Sequence, residues 1–136
     1  MKVAFATEDL IHVNAHFGWA KQIAMYEITA EEAALTSVLE FGDDLEEDGN
    51  EDKLTPKLEA ITECAILYVA AIGGSGAARV VARNIHPVRV PETETITNLT
   101  EKLQVVLRGT PPPWLRKAIN KGKEHVFDFD NEVLHD

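Results

Sequence analysis

The sequence predicts a single α/β domain built on one mixed β-sheet with helices covering it. Three observations support this fold class. The chain of 136 residues has the length of one domain. Its first third contains three short runs of strand-forming residues, whereas the remainder alternates apolar strand-like runs with helical ones. Such alternation implies parallel strands joined by right-handed crossovers, so the predicted order is βββαβαβα.

Three strands are predicted in the first third of the chain. Lys2–Thr7, with the sequence KVAFAT, is a short apolar run of strand formers and gives the first strand. Glu8–Gly18 contains Asp, Asn, His and Gly without a clear period, so we expect a loop there. Ile23–Ile28 and Leu35–Phe41 follow as two strands, and the short connection between them predicts an antiparallel hairpin.

An acidic linker and a helix come next. Gly42–Asn50 (GDDLEEDGN) has the composition of a charged surface linker. We expect a helix over about Glu51–Thr62, because its leucines and isoleucine recur at helical spacing. Pro56 is best tolerated at the first helical position, which would move the start of this helix nearer to Thr55.

The second half of the chain alternates strands and helices. Cys64–Ala71 is almost continuously apolar, which predicts a central strand buried on both faces. Gly73–Gly76 (GGSG) then predicts a turn into a second helix over Ala77–Asn84. His86–Val90 (HPVRV) is the next predicted strand.

A third helix is predicted over about Ile96–Leu107, because its apolar residues share one face and Gly109 follows it. After three consecutive prolines, Trp114–Asn120 predicts a last helical piece. We therefore expect one α/β domain over residues 1–120. An acidic C-terminal tail, residues 121–136, is expected to be partly mobile.

The charge distribution narrows the classes of partner. The net charge is −10, and residues 27–63 alone carry thirteen acidic and only two basic side chains. A nucleic-acid-binding protein normally shows a basic footprint, so DNA and RNA are disfavoured. Residues 79–123 carry nine basic and three acidic side chains, and this segment could attract a compact anion.

Several features of the sequence predict a cytoplasmic protein without a membrane span. No apolar segment of a secretory signal follows the first lysine. The longest apolar run, Ala65–Ile72, is far too short to cross a bilayer. Cys64 is the only cysteine, which excludes an internal disulfide and a CxxC metal or redox pair.

His16 is the first candidate ligand. It lies in the loop EDLIHVNAHFG, where a side chain at the end of a strand is well placed for binding. His12 lies four residues earlier, but the segment does not look helical, so this spacing is weak evidence for a two-histidine metal site. The alternative for His16 is structural: it could brace a turn before Phe17 and Gly18.

The GGSG segment is the second candidate. Gly73, Gly74 and Ser75 close a buried strand and open a helix, where ligands bind in open α/β sheets and where backbone N–H groups favour anions. The segment is neither a Walker A loop nor a complete GxGxxG motif. Its glycines could equally serve a tight turn that needs positive φ, and both interpretations can hold together.

Four further side chains could contribute to a binding site. Arg79 and Arg83 are i, i+4 neighbours and should share a helix face. His86 is either a hydrogen-bonded residue at a strand edge or a ligand, with its backbone kept extended by the following proline. Cys64 is more simply a small buried hydrophobe, although its sulfur could serve as a soft metal ligand. No base, nucleophile and orienting group occur together, so we expect no enzyme.

Three segments of the chain together resemble a known family. HFG (His16–Gly18), ECAILYVAAIGG (Glu63–Gly74) and IHPVRV (Ile85–Val90) are similar, in this order, to the NifX family of dinitrogenase iron–molybdenum cofactor biosynthesis proteins. Relatives of that family include NifY, NafY and the C-terminal part of NifB. The resemblance covers about residues 1–119. It implies a ribonuclease-H-like fold and a cytoplasmic carrier of the iron–molybdenum cofactor or its NifB-derived iron–sulfur precursor.

The resemblance also implies ligands and partners. Binding in the family is attributed largely to a histidine, which corresponds here to His16, and His86 and Cys64 are further candidate metal ligands. Imidazole suits iron, and arginines with a helix N-terminus suit a polyanion. The implied partners are a NifB-like donor, a NifEN-like scaffold and apo-dinitrogenase. The alternative is an interaction or regulatory protein of the same fold that binds no cluster and uses the acidic 43–52 loop and the tail.

Overall fold

The computed structural model describes residues 1–41 and 54–121 as seven strands and four α-helices, with one short 3-10 helix. The strands are β1 (Lys2–Thr7), β2 (His12–Val13), β3 (Gln22–Ile28), β4 (Ala33–Glu40), β5 (Ile66–Val69), β6 (His86–Arg89) and β7 (Glu94–Thr95). The helices are α1 (Leu54–Ala60), α2 (Gly74–Ala82), α3 (Ile96–Arg108) and α4, which spans 113–121.

The five longer strands form one mixed sheet in the order β4-β3-β1-β5-β6. The β1–β3 and β3–β4 pairs are antiparallel, whereas β1–β5 and β5–β6 are parallel. The predicted α/β class, the mixed sheet and the antiparallel hairpin are therefore confirmed. The ribonuclease-H-like designation stays a prediction.

The loop predicted over Glu8–Gly18 contains regular structure. Two-residue strand β2 pairs antiparallel with β7, and a 3-10 helix spans Phe17–Trp19. Pieces this short carry no periodic pattern, so the loop prediction was wrong at these points for lack of a local signal.

Helix α2 begins at Gly74 and not at Ala77, so the predicted GGSG turn is wrong. Gly73 is its N-cap, with φ −72° and ψ 161°, and this extended backbone requires no positive φ. The low helix propensity of glycine suggested a turn, but packing outweighs propensity in a folded protein. Gly76 is buried, and a Cβ there would lie 3.3 Å from Ile72 Cγ1, so close packing explains this glycine.

Two apolar clusters cover the two faces of the sheet. Val3 and Phe5 of β1 point to the cluster that contains α3 and α4, while the intervening Ala4 and Ala6 point to the cluster that contains α1 and α2. All four residues of β5 are buried, which confirms the prediction of a central strand covered on both faces.

Helix α4 closes the fold at the amino ends of β5 and β6. Leu115 is 1% exposed, and the ring of Trp114 stacks on His86 with centroids 3.9 Å apart. Lys121 Nζ donates hydrogen bonds to the carbonyl oxygens of Thr62, Cys64 and Arg83, the shortest at 2.6 Å. Within the described residues, no helix is long and apolar enough to cross a bilayer.

Three predictions fall on other parts of the chain. The acidic linker at residues 42–50, the start of the first predicted helix at 51–53 and the tail beyond residue 121 lie outside the described residues. The proposed domain boundary at residue 120 accordingly stays a prediction.

Candidate functional site

The HFG segment lies against the carboxyl end of the central strand. His16 forms a parallel β-bridge with Ala71, two residues after the end of β5. The Phe17 N–H donates to the Ala71 carbonyl oxygen at 2.9 Å, and the Ala70 N–H donates to the Ala15 carbonyl oxygen at 3.0 Å. Because Gly73 follows Ala71 by two residues, the structure brings His16 and the start of α2 to the same edge of the sheet.

His16 is the N-cap of the 3-10 helix that follows it. Its Nδ1 atom accepts a hydrogen bond from the Gly18 N–H at 3.0 Å, so the structural interpretation of a braced turn is correct. The backbone N–H can only donate, which places the proton of the neutral ring on Nε2. The residue is half-buried, and Nε2 is the ring nitrogen that the turn does not use. Bracing the turn and binding a ligand are therefore compatible uses of one side chain.

Two aromatic side chains flank this histidine in opposite environments. Phe17 is fully buried and anchors the turn in the core. Trp19 is 54% exposed, with its ring centroid 6.4 Å from that of His16. Phe17 thus anchors the turn in the core, while Trp19 places an exposed aromatic ring on the outer surface of the turn.

Sequence reasoning missed Lys57, which lies behind the HFG turn. Its side chain is almost completely buried, with 3% of the residue exposed. The Nζ atom donates to the carbonyl oxygens of Phe17 at 3.1 Å and Gly18 at 2.9 Å, and it lies 5.6 Å from the centroid of the Phe41 ring. A signal was available, since Lys57 follows Leu54 by three residues and so belongs to the apolar face of α1.

Gly73 and Gly74 have no steric reason within the described protein to be glycine. A Cβ atom built on either residue would meet no atom of the described chain within 4 Å, apart from its chain neighbours and the backbone of α2 itself. The Gly73 carbonyl oxygen accepts from the Ala77 N–H at 2.8 Å, as expected for a helix cap. The first-turn N–H groups of a nine-residue helix have no intrahelical acceptors, so Gly73, Gly74 and Ser75 present an open, anion-favouring surface.

The two predicted arginines share a face but do not form a cradle with the glycines. Arg79 donates to Thr55 Oγ1 at 2.7 Å, and Arg83 donates to Thr62 Oγ1 at 2.8 Å. Arg83 is the C-cap of α2, which places its backbone about 13 Å along the helix from Gly74. Arg83 therefore lies at the opposite end of α2 from the glycines, and cofactor binding by Arg79 and Arg83 stays a prediction.

His86 lies at the other edge of the sheet from His16. It pairs with Ile66 at the start of β5, whereas His16 bridges Ala71, so about 16 Å of strand separates the two positions. Burial lowers the pKa of His86, and its ring face is covered by Trp114. A single metal site containing both histidines is excluded by this separation.

Cys64 belongs to the same far edge and is fully buried. Its Sγ atom lies 3.7 Å from Met25 Sδ, and burial raises the pKa of the thiol to about 12. A neutral buried thiol behaves as a small hydrophobe, which was the favoured interpretation. Across residues 1–41 and 54–121, no group of three or more His, Cys, Asp or Glu side chains is arranged to hold a metal ion.

An open cleft of about 550 Å³ lies at the same edge as His16, lined by Glu8, Lys21, Gln22, Glu40 and Phe41. These residues come from the end of β1, the start of β3 and the end of β4, which meet because β3 runs antiparallel to its neighbours. Two carboxylates in its wall make the cleft a poor place for a polyanion. The surface formed by His16 and Gly73–Ser75 suits such a ligand better.

Comparison with known proteins identifies the family. A family model described as "Dinitrogenase iron-molybdenum cofactor" matches residues 1–105. The chain belongs to this family. The match contains the HFG turn, α1 and the glycine start of α2, and it ends within α3.

Individual members support this assignment, and one solved structure shares the fold. Protein NifX of Herbaspirillum seropedicae is 61% identical over 133 residues, which cover 98% of this chain and 91% of that protein. Protein NifX of Rhodobacter capsulatus is 40% identical over 140 residues, covering 98% of this chain and 88% of that protein. The crystal structure of PH0822 is similar in fold, with a TM-score of 0.60 at 20% identity, and the match covers 77% of this chain and 89% of that one. The resemblance predicted from the three sequence segments is therefore confirmed.

Proposed function

We propose that this member of the dinitrogenase iron–molybdenum cofactor family is a carrier that binds the iron–molybdenum cofactor or its NifB-derived iron–sulfur precursor during nitrogenase assembly. The close relation to NifX proteins supports a role in nitrogenase cofactor biosynthesis. One observation carries the assignment of the site: His16 bridges Ala71, two residues before Gly73, so His16 and the glycine start of α2 lie at the same carboxyl edge of the parallel strands.

The chemistry of these groups matches an anionic metallocluster. A neutral imidazole is a suitable ligand for iron, and Nε2 of His16 is the ring nitrogen not used in the turn. The N–H groups at the start of α2 offer favourable electrostatics to sulfide or carboxylate groups of the cargo. The absence of side chains at Gly73 and Gly74 lets a bulky cluster approach the backbone closely.

The small number of ligands suits a transient carrier. A cargo fixed by many protein ligands would leave slowly, whereas one imidazole with a weak electrostatic surface permits transfer. Cys64, His86 and Arg83 take no part in this proposal, because they lie at the far edge of the sheet or at the far end of α2. The proposed role is carriage without a catalysed reaction.

The test is anaerobic titration of the metal-free protein with isolated iron–molybdenum cofactor, followed by gel filtration and metal analysis. We expect iron and molybdenum to elute with the protein at a fixed ratio. The His16→Ala variant should bind at least about tenfold more weakly, equivalent to about 1.4 kcal/mol. His12→Ala is the matched control, because His12 is a nearby histidine whose Nδ1 atom is 2.7 Å from Asp9 Oδ2.

Each result has a definite consequence. Equal affinity of the His16→Ala variant and the unmodified protein would remove His16 from the site. Failure of the complete cofactor to bind would be followed by the same titration with the molybdenum-free precursor. Failure of both cargoes would refute the carrier function. The proposed partners are a NifB-like donor, a NifEN-like scaffold and apo-dinitrogenase, all in the cytoplasm.

The second candidate is an interaction or regulatory protein of the same fold that binds no cluster. Leu10 has φ 65°, and Ile11 beside it is 56% exposed. Hydrogen bonds to Thr7 Oγ1 and Asp9 Oδ1 hold this strained loop, and it displays two aliphatic side chains to solvent. Capture of cofactor-assembly proteins by metal-free protein, abolished by Ile11→Ser and unaffected by His16→Ala, would favour this candidate.

A further inference from the structure

Two side chains hold Gly18 from different directions. The Gly18 N–H donates to Nδ1 of His16, and the Gly18 carbonyl oxygen accepts from Nζ of Lys57. The same ammonium group also binds the carbonyl oxygen of Phe17. Both polar backbone groups of Gly18 are therefore satisfied by side chains, one from the turn itself and one from α1.

Binding of iron through Nε2 would remove the first of these bonds. A neutral imidazole carries one proton, and coordination through Nε2 places that proton on Nδ1. Nδ1 then becomes a donor and can no longer accept from the Gly18 N–H. Loading of the cargo would thus break the hydrogen bond between the Gly18 N–H and His16 Nδ1. The hydrogen bonds that Lys57 makes do not depend on which ring nitrogen of His16 carries the proton.

We propose that Lys57 is a positioning residue. Its hydrogen bonds hold the backbone of the HFG turn (His16–Gly18) when His16 binds the cargo and loses its hydrogen bond to the Gly18 N–H. The inference rests on the proposed function. It explains why an ammonium group occupies a buried place between Leu54 and Leu58 on the apolar face of α1, where burial of a charge is costly unless it is well bonded.

Loss of Lys57 should have different effects in the empty and in the loaded protein. In the empty protein the His16 cap remains, so loss of Lys57 should leave the proton on Nε2. In the loaded protein Lys57 holds the turn without the cap, so its loss should weaken binding and broaden the distribution of His16 orientations. A residue that served stability alone would not show this difference.

The experiment compares Lys57→Met, Lys57→Arg and Leu58→Ala with the unmodified protein. Leu58 is the adjacent, fully buried residue of α1 and does not hydrogen-bond to the turn through its side chain, so its truncation controls for general destabilisation. Long-range ¹⁵N–¹H NMR of the metal-free proteins reports the His16 tautomer. Anaerobic titration with isolated iron–molybdenum cofactor gives the affinity, and electron paramagnetic resonance of the bound cofactor reports its environment.

We expect Lys57→Met to keep the Nε2–H tautomer, to bind cofactor about tenfold more weakly and to broaden the resonance of the bound cluster. Lys57→Arg, which retains charge and donors, should recover most of the affinity. Leu58→Ala should lower the unfolding temperature without changing the affinity of the folded protein. Amide hydrogen exchange of the unmodified protein adds a measurement that needs no variant: loading should accelerate exchange at Gly18.

The outcomes separate this inference from the proposed function. Cofactor binding by the unmodified protein with equal affinity in Lys57→Met would overturn the role of Lys57 and leave the carrier function intact. If hydrogen exchange at the Gly18 amide did not change on loading, the proposed link between loading and loss of the His16–Gly18 hydrogen bond would be overturned. This result does not depend on whether Lys57→Met folds. Failure of the unmodified protein to bind either the cofactor or its precursor would refute the carrier function and this inference with it.

Discussion

Phe17 anchors the HFG turn in the core. Its truncation should therefore lower the free energy of unfolding and also weaken the proposed cargo binding. The residue is fully buried in the cluster that contains α1 and α2. Removal of a buried phenylalanine side chain costs about 3–5 kcal/mol through lost transfer energy and the cavity left behind. For a chain of this size, that loss lowers the unfolding temperature by roughly 10–20 °C. Because domains are stable by about 5–15 kcal/mol, most of the Phe17→Ala protein should still be folded at low temperature.

The matched control is Phe5→Ala. Phe5 is also fully buried, but it lies on the other face of the sheet, stacked on Tyr68 with ring centroids 5.1 Å apart. Both variants should lose similar free energy of unfolding in urea denaturation followed by circular dichroism. Only Phe17→Ala should also bind cofactor more weakly, because the backbone that carries His16 loses its anchor.

Two results would refute this reasoning. Unchanged cofactor affinity in folded Phe17→Ala protein would mean that the direction of the His16 ring does not depend on the anchored turn. Equal loss of affinity in Phe5→Ala would mean that binding follows global stability and not the local geometry. Affinities must be compared at a temperature where both variants are folded, as judged from their denaturation curves.

Two further predictions follow from other parts of the structure. Gly74→Ala should raise stability by about 0.5–1 kcal/mol, because a Cβ there meets no atom of another described segment within 4 Å and alanine is the better helix former. In calorimetry with parallel titration, its cofactor affinity should nevertheless fall, and unchanged affinity would place the cargo elsewhere. For His86, burial keeps the folded-state pKa below the ordinary value of about 6.5, so the unfolded state binds the proton more readily and stability should fall as the pH drops below that value. His86→Phe retains stacking on Trp114 without titrating, so its free energy of unfolding should vary less between about pH 7 and pH 5. If urea denaturation gave the same change with pH for both proteins, His86 would not be the source of the pH dependence.

The strands and long helices could be predicted because their local patterns agree with their tertiary environment. Lys2–Thr7 was predicted with the observed bounds, and the start of α3 at Ile96 agrees with its helical period. The start of α2 could not be predicted in this way. Its glycines favour a turn locally, and only the close packing of Gly76 against Ile72 shows why the backbone is helical.

His16, His86 and Cys64 were all candidate ligands in the sequence, and a usable signal in it separates their positions. His16 and the glycine turn both follow strands, so the rule that ligands bind at the carboxyl ends places them together. Cys64 precedes β5 and His86 begins β6, and the same rule assigns both to the amino ends. Strand direction, which the predicted order already contained, therefore separates His86 and Cys64 from His16. The hydrogen bonds of Lys57 required coordinates, because helical spacing shows that it faces the core but not which carbonyl groups it contacts.

The separation of the two sheet edges is consistent with the proposed function, in which one small domain is stable and also releases a cargo. At the amino edge, Lys121 binds three carbonyl groups and Trp114 stacks on His86, so helix α4 closes the fold there. At the carboxyl edge, the glycine start of α2 and the half-buried His16 remain open to ligands. Under the proposed function, the contacts that close the fold at the amino edge are not contacts that the cargo would displace. The proposed opening of the cap at Gly18 would be a local change that leaves the core behind Phe17 and Lys57 in place.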